Sequence, residues 1–296
     1  MSTPLTGGST GTASGGAELE CRSVSSGYLG HRVLENISFT IDAPSVYVVL
    51  GPNGAGKTTL FRTLAGILPP MSGEVLIDGT PVAHQASRNR MHYLSHMDGI
   101  PSGLKVREAL DYYAHVERAA PADVDRVLDL LDLRELRGKF LSQLSQGQRK
   151  RVSVARVFLR DRAIYLLDEP TSNLDPKLAR EIRSLILELS REKIVLYSSH
   201  NLYEAREIGR HVLAVRDGKL ALFDRIENLR SAKFIVGIRV LEPNDALDDY
   251  SRQGDYFLKE LAGPAEVPSL IRELESRGVK IRELREMENP LEDLFT

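Results

Sequence analysis

The sequence predicts an α/β fold in which buried strands alternate with helices, extended by an antiparallel β part, a helical subdomain and a small C-terminal α+β domain. Three observations support this prediction. Short apolar runs at Ser45–Leu50, Ala163–Leu167 and Ile194–Ser198 are typical of buried strands. Apolar residues recur at helical spacing between two of these runs, in Leu178–Ser190. The pattern of predicted strands and helices changes after about residue 230, which indicates a separate unit.

The N-terminal half supplies the first elements. Residues 1–17 consist mostly of Gly, Ser and Thr and are predicted to be a flexible tail. Two runs, Leu19–Ser23 and Val33–Ile41, indicate antiparallel strands. The run Ser45–Leu50 ends at a glycine-rich turn, and Lys57–Leu68 follows with apolar residues at helical spacing. This order of strand, turn and helix is the one that a doubly wound sheet requires.

The second half contains a helical part, a hairpin and a further domain. Residues of about 95–160 are helical by pattern and lack strand runs, and we expect them to form a subdomain inserted in a domain of residues 18–229. Asp217-Gly218 separates two short apolar runs and predicts a hairpin. We expect residues 230–296 to form a small accessory domain, with strand and helix runs listed here: Phe234–Leu241, Tyr256–Glu260, Pro268–Ser276 and Val279–Leu284.

Composition restricts the class of protein. The 296 residues include 39 Lys and Arg against 41 Asp and Glu, a net charge of −2, and no long basic stripe, so we expect no nucleic-acid partner. The single cysteine excludes an internal disulfide bond and suggests a cytoplasmic protein. The sequence contains no apolar run of the ~18 residues that span a membrane, and its first twenty residues lack Lys, Arg and an apolar block, so we expect no secretory leader. A membrane role would therefore need a second chain.

The strongest motif follows the first buried run and matches the pattern G-x-x-x-x-G-K-[ST]. Its glycines let the backbone wrap phosphate oxygens, and the amides at the helix N-terminus attract the anion. The lysine would reach the β- and γ-phosphates, and the hydroxyl after it would bind Mg²⁺. The candidate nucleotide-binding residues are Gly51, Pro52, Asn53, Gly54, Ala55, Gly56, Lys57, Thr58 and Thr59.

Two adjacent carboxylates end the buried run at Ala163–Leu167. Asp168 would hold Mg²⁺ through a bound water, and Glu169 is the natural general base for an attacking water. A pair of acidic residues at a solvated strand end is the alternative, which the phosphate-binding motif upstream makes less attractive.

A third segment, Leu144-Ser145-Gln146-Gly147-Gln148, resembles the LSGGQ signature of the ATP-binding cassette (ABC) ATPases, with Gln146 replacing a glycine. The resemblance covers about residues 18–229. It implies a P-loop NTPase fold of the ABC type in which Ser145, Gly147 and Gln148 close on a nucleotide held by the other member of a head-to-tail pair. That partner would be a second copy of the chain or a paralogous cassette.

The same resemblance assigns three further positions. Tyr28 would stack on the adenine, and Ser172–Asp175 would contact the partner cassette. His200 would sense the γ-phosphate, and the catalytic residues would be His200, Lys57 and Glu169. His96 occupies the position where the family has a glutamine that contacts Mg²⁺ and the membrane partner. It is either a tolerated substitution or a weaker metal ligand. A transition-metal cluster of His84, His92 and His96 would lack a cysteine or acidic partner.

The resemblance therefore implies an ATP- and Mg²⁺-dependent ATPase that drives a membrane-spanning permease from the cytoplasmic face. The run Glu288–Phe295 resembles the ending of ATPase subunits of ABC-2-type exporters, which favours an exporter. The alternatives are a soluble ABC ATPase of DNA repair or translation and a cassette that binds without turnover. Only 87 positions separate Thr58 from Ser145, too few for the coiled coil of the repair proteins.

Overall fold

The computed structural model describes residues 17–95, 101–200, 202–230, 234–242, 247, 250–261 and 266–288. The predicted tail up to residue 16, the candidate metal ligand His96 and the C-terminal run from Asn289 onward lie outside these residues. Among the described residues, no helix has both the length and the hydropathy needed to cross a membrane.

The strands form three sheets. In chain order they are β1 Leu19–Tyr28, β2 His31–Ile41, β3 Ser45–Leu50, β4 Ser72–Ile77, β5 Thr80–Pro81, β6 Met91–Leu94, β7 Ile164–Asp168, β8 Ile194–Ser199, β9 His211–Arg216, β10 Lys219–Arg225, β11 Phe234–Val240, β12 Ser251–Gln253, β13 Tyr256–Leu261 and β14 Ile281–Glu288. The helices are α1 Lys57–Leu64, α2 Gln85–Arg88, α3 Val106–Glu117, α4 Pro121–Leu130, α5 Gln146–Val157, α6 Pro176–Leu189, α7 Leu202–Ile208, α8 Ile226–Arg230 and α9 Val267–Ser276.

The central sheet has the order β10-β9-β3-β8-β7-β6, and all its neighbours pair in parallel except β10 with β9. Strands β3, β7 and β8 are buried at every position. This burial explains why they appear in the sequence as continuous apolar runs rather than alternating ones. The carboxyl ends of β3, β7 and β8 lie side by side, and this edge carries the site.

An antiparallel sheet of order β2-β1-β4-β5 covers the other side of α1. Leu19 and Val24 of β1 belong to one apolar cluster with Phe61 and Leu64 of the helix. Helix α1 ends four residues earlier than the apolar pattern predicts. The reason is Gly66, which adopts a φ of 67° so that the chain turns and the amide of Ile67 bonds to the carbonyl of Arg62.

The helical part lies between β6 and β7. Residues 101–163 are all described; they contain α3, α4 and α5 and no strand beyond an isolated bridge of Lys105 with Phe140. Leu110, Val127 and Val152 pack in the same apolar cluster as Leu167 of the central sheet.

The residues after 234 form a third sheet of order β12-β13-β11-β14, with α9 against one face. Val236 and Ile238 of β11 pack there against Leu270 and Leu274 of α9. Together the three sheets and the helices confirm the predicted α/β fold class, with its antiparallel part, its helical part and its small C-terminal α+β part.

Candidate functional site

The glycine-rich turn joins β3 to α1 and folds back over its own lysine. Lys57 Nζ donates hydrogen bonds to the carbonyl of Gly51 at 2.6 Å and to that of Pro52 at 3.0 Å. Burial lowers the pKa of the Lys57 ammonium from its ordinary value, and the nearby carboxylates of Glu169 and Asp168 oppose that shift. A cation is thus fixed at the N-terminal end of α1, where the backbone amides also favour an anion.

Two glycines of this turn occupy positions that a side chain would obstruct. Gly56 has a φ of 105°, and a Cβ atom there would lie 2.7 Å from Cδ2 of Leu34. A Cβ atom on Gly51 would lie 2.3 Å from the carbonyl oxygen of Val215. The close approach of the backbone to its neighbours explains why the motif requires glycine here.

The strand β7 presents its two carboxylates beside this turn. Asp168 is buried, and its Oδ1 accepts a hydrogen bond of 2.6 Å from the Ser198 hydroxyl of the adjacent strand β8. Its second oxygen, Oδ2, is buried without a hydrogen-bond partner among the described residues. An unsatisfied buried carboxylate oxygen fits the oxygen ligands that Mg²⁺ prefers, taken directly or through water.

Glu169 follows in a left-handed conformation, with a φ of 49°. Its amide donates to the Ser198 hydroxyl at 2.8 Å, so one serine fixes both acidic residues. The Nδ1 atom of His200 lies 3.0 Å from Oε1 of Glu169, and the imidazole N–H donates to the carboxylate. Two residues at the carboxyl end of β8 therefore hold Glu169: Ser198 bonds its backbone amide and His200 bonds its carboxylate.

A cavity of about 400 Å³ opens between the turn and this carboxylate–imidazole pair. It brings together eight residues that the sequence predicts and one that it does not: Asn53, Gly54, Gly56, Lys57, Thr58, Thr59, Glu169, His200 and, from β2, Val33. The remaining residues of the motif, Gly51, Pro52 and Ala55, do not line the cavity. The position of Val33 depends on how β2 crosses the turn, which no local sequence signal reveals.

Tyr28, the predicted adenine contact, does not line this cavity either. It ends β1 and is 38% exposed, and its hydroxyl accepts a hydrogen bond of 3.1 Å from Nη1 of Arg62 on α1. This hydrogen bond ties Tyr28 to α1.

The signature segment also lies apart from the cavity. Ser145 caps α5: its hydroxyl accepts from the amide of Gln148 at 3.2 Å, and its own amide donates to Oε1 of Gln148 at 3.1 Å. Ser145 and Gln146 are exposed. A Cβ atom on Gly147 would be 3.4 Å from the carbonyl of Asn173, so this segment neighbours the loop Ser172–Asp175 of its own chain.

Among the described residues, the histidines assemble no transition-metal site. Within the described ranges, no group of three His, Cys, Asp or Glu side chains could hold a metal ion. His92 is buried, and its Nε2 is 2.7 Å from the carbonyl of Arg160, while His84 is exposed and His96 lies outside the described residues.

Comparison with known proteins gives a consistent family. The family model described as ABC transporter matches residues 34–172, and a model of an AAA domain matches residues 141–206. The chain is 29% identical over 294 residues to an uncharacterized ABC transporter ATP-binding protein, YhcH, of Bacillus subtilis, and the match covers 94% of each chain. It is 32% identical to the Fe(3+) ions import ATP-binding protein FbpC of Escherichia coli, over 68% of this chain and 60% of that protein.

Solved structures agree with these matches. An ATP-binding subunit of an ABC transporter superposes with a TM-score of 0.66 at 25% identity, covering 72% of this chain and 91% of that chain. A bacterial Atm1-family ABC exporter with ATP bound superposes with a TM-score of 0.64 at 26% identity, covering 72% of this chain and 39% of that chain. The glycine-rich turn follows β3 of the central sheet, and 94% of the chain aligns with an ABC transporter ATP-binding protein. The chain therefore belongs to the ATP-binding cassette ATPases of ABC transporters.

Proposed function

We propose that this chain is the ATP-hydrolysing motor subunit of an exporter, working on the cytoplasmic face of the membrane with a membrane-spanning permease. One observation carries the proposal: Glu169, held by His200 at 3.0 Å, faces the cavity that Lys57 and the glycine-rich turn enclose. A base and a phosphate-binding cation that line one cavity are what hydrolysis of a phosphoanhydride requires.

Nucleotide binding follows from the turn. The triphosphate of ATP would lie along the amides at the start of α1 with Lys57 against its terminal phosphates. Thr58 and Asp168 would hold Mg²⁺, which supplies charge neutralisation at the phosphates when bound. Asp168 is suited to this role because Ser198 satisfies only one of its two oxygens within the described structure.

Hydrolysis would proceed by attack of a water in line with the departing diphosphate. In this mechanism Glu169 accepts the proton of that water, and His200 keeps the carboxylate oriented and contacts the γ-phosphate. Ser198 holds the backbone amide of Glu169, so the base stays at a fixed distance from the turn. The chain's own contribution is thus positioning and proton acceptance.

The proposed active unit is a head-to-tail pair, with a second copy or a paralogous cassette as partner. Ser145, Gly147 and Gln148 lie outside the cavity of their own chain, and Ser145 is exposed at the N-terminus of α5. In a head-to-tail arrangement this exposed helix end would meet the phosphates bound by the partner. The exposed signature supports a shared site because it has no role within its own cavity.

The proposal that transport is outward rests on the C-terminal region of the chain. The match to the Fe(3+) import protein covers 68% of this chain, whereas the match to YhcH covers 94% and so extends into that region. The ending at Glu288–Phe295 resembles that of exporter ATPase subunits. If the cassette and its permease are placed in vesicles with the cassette outside, external ATP should drive cargo into the lumen, and loss of preloaded cargo would indicate import instead.

The replacement Glu169→Gln tests the proposed base. The amide keeps the shape of the side chain but cannot accept the proton of water, so ATP should still bind while turnover falls on the order of 10²–10⁴-fold. An ATP-bound dimer should then accumulate in gel filtration with Mg-ATP. The exposed Glu181→Gln is the matched control, and a Glu169→Gln protein with the turnover of that control would exclude Glu169 as the base.

A further inference from the structure

A partly buried acidic side chain near the site, Glu204 of α7, has no part in the reaction described above. Its side chain is 18% exposed. Four donor groups lie within hydrogen-bond distance of its carboxylate: Thr171 Oγ1 at 3.1 Å, Ser199 Oγ at 2.9 Å, Tyr197 OH at 3.2 Å and Arg183 Nη1 at 3.3 Å. Thr171 and Tyr197 also bond to each other, so one of these two hydroxyls donates to the carboxylate and the other donates to its neighbour. The donors come from β8, from α6 and from the turn after β7.

The hydroxyl partners of Glu204 lie next to the reacting pair. Thr171 is two residues beyond Glu169, in the turn that follows β7, and Ser199 immediately precedes His200, at the end of β8. Thr171 Oγ1 also lies 2.6 Å from the hydroxyl of Tyr197. Burial raises the pKa of the Tyr197 hydroxyl, with the neighbouring Glu204 carboxylate acting in the same direction, so Tyr197 stays protonated. One carboxylate therefore ties together the ends of two strands.

The open space around Glu169 and His200 makes the hydrogen bonds of Glu204 important. On one side Glu169 and His200 line the nucleotide cavity, and on the other they line a second cavity of about 460 Å³, whose wall also includes Thr171, Ser198, Ser199 and Glu204. The His200 side chain is 55% exposed, so packing fixes it only weakly. The backbone at the strand ends therefore contributes to the position of the pair.

We infer that Glu204 is a positioning residue for hydrolysis: by holding Thr171 and Ser199 it fixes the backbone of Glu169 and His200 and so the 3.0 Å contact between base and imidazole. The inference rests on the proposed function, which makes Glu169 the base. It assigns to Glu204 an effect on the chemical step and none on nucleotide binding, because Glu204 does not line the nucleotide cavity.

The chain provides a matched control on the same helix. Arg183, itself buried, pairs with Glu204 and also with Oε2 of Glu207 at 3.0 Å. Glu207 is 34% exposed, and in the described structure its contact is with this arginine and not with the strand-end hydroxyls. Because Arg183 keeps one carboxylate partner in either single variant, neither change leaves a buried charge alone.

The test compares Glu204→Gln with Glu207→Gln in steady-state ATP hydrolysis by the full chain. The NH2 group of the glutamine is a donor, and it would face hydroxyl groups that donate to the Glu204 carboxylate. Those hydrogen bonds would be lost or weakened, so the strand ends should loosen. We expect kcat to fall about tenfold or more with KM for ATP within about twofold, the pattern of an interaction that acts in the transition state. The Glu207→Gln protein should keep kcat within about twofold of the wild type.

A second variant separates positioning from folding. Thr171→Val removes one hydroxyl at nearly constant volume and should also lower kcat. The double variant Thr171→Val/Glu204→Gln should be no slower than the slower single variant, because both act through one tie. Additive losses, an unchanged kcat for Glu204→Gln, an equal loss for Glu207→Gln, or a rise in KM alone would each overturn the inference. If Glu204→Gln does not fold by circular dichroism, Thr171→Val decides by the same criteria.

The same assay tells this inference apart from the proposed function. Failure of the proposed function would appear as a wild-type chain without ATP turnover, or as a Glu169→Gln variant as active as its control. Failure of the inference alone would appear as normal wild-type turnover that is sensitive to Glu169 and insensitive to Glu204.

Discussion

At the scale of single residues, Lys57 is the clearest candidate determinant of nucleotide binding. Its ammonium is buried at the wall of the cavity and bonded to two carbonyls of the turn, so it is already in place for an anion. Replacement Lys57→Ala removes a charge-assisted contact with the β- and γ-phosphates, worth about 2–3 kcal/mol. We expect ATP affinity or turnover to fall accordingly, by about 30- to 150-fold in an equilibrium constant.

A fluorescent ATP analogue measures that affinity, and ATPase assays measure the turnover. The exposed Lys219→Ala serves as the control, since Lys219 lies on β10 and does not line the cavity. If affinity and turnover both equal those of the control, the assignment of this turn as the phosphate cradle is wrong.

The residues of the site differ in whether a pattern in the sequence predicts them. Lys57 lies in a contiguous motif, and Glu169 and His200 each follow a buried strand, so the sequence alone predicts that they meet at one sheet edge. Ser198, Thr171 and Glu204 carry no such signal, because their contacts depend on the register of β7 against β8 and on the angle at which α7 leaves the sheet. A serine that bonds the carboxylate of Asp168 and the backbone amide of Glu169 looks, in sequence, like any serine in a strand.

At the scale of elements, burial decided which strands could be predicted. Strands β3, β7 and β8 are buried on both faces, and their apolar runs mark them to within about one residue. Strand β4 begins with Ser72, Gly73 and Glu74, all exposed, so its three buried residues are too few to stand out. The three-residue β12 is exposed throughout and pairs only with β13 in the described structure, which again leaves no apolar pattern.

His92 connects two elements and yields a prediction about pH. It lies on β6, and its ring bonds to the carbonyl of Arg160 beyond α5 and lies 3.9 Å from Oε1 of Glu117 on α3. Burial lowers the pKa of His92 below its ordinary value of 6.5. As pH falls through that value, the unfolded chain takes up a proton that the folded chain does not, so the free energy of unfolding must decrease.

Replacement His92→Gln should reduce this acid sensitivity, because the amide can still donate to the Arg160 carbonyl and does not titrate. We expect urea unfolding at pH 7.5 and pH 5.5 to show a smaller difference for the variant than for the wild type. The exposed His84→Gln is the control and should keep the wild-type difference. A variant as acid-sensitive as the wild type would show that His92 does not contribute to the pH dependence.

At the scale of the whole molecule, the apolar core is not continuous. Two clusters hold the central sheet, the antiparallel sheet and the helical part together, while a third cluster consists entirely of residues from Val236 onward. The sequence predicts this division from the change in its pattern of strands and helices near residue 230. It cannot predict the order β12-β13-β11-β14, because strand order depends on long-range pairing such as that of β11 with β14.

The separate third cluster leads to a prediction for a chain that ends at Arg230. The nucleotide cavity is lined by residues between Val33 and His200, and the residues of the two larger clusters end at Ile226, so the truncation removes neither. The shortened chain should therefore fold and bind ATP with an affinity within about twofold of the full chain, whereas dimer formation or its regulation should change. Gel filtration with Mg-ATP, in the Glu169→Gln background for both lengths, measures the dimer at constant nucleotide occupancy. A shortened chain that is folded by circular dichroism yet has lost ATP binding would place part of the nucleotide site's support beyond residue 230 and refute the proposed boundary.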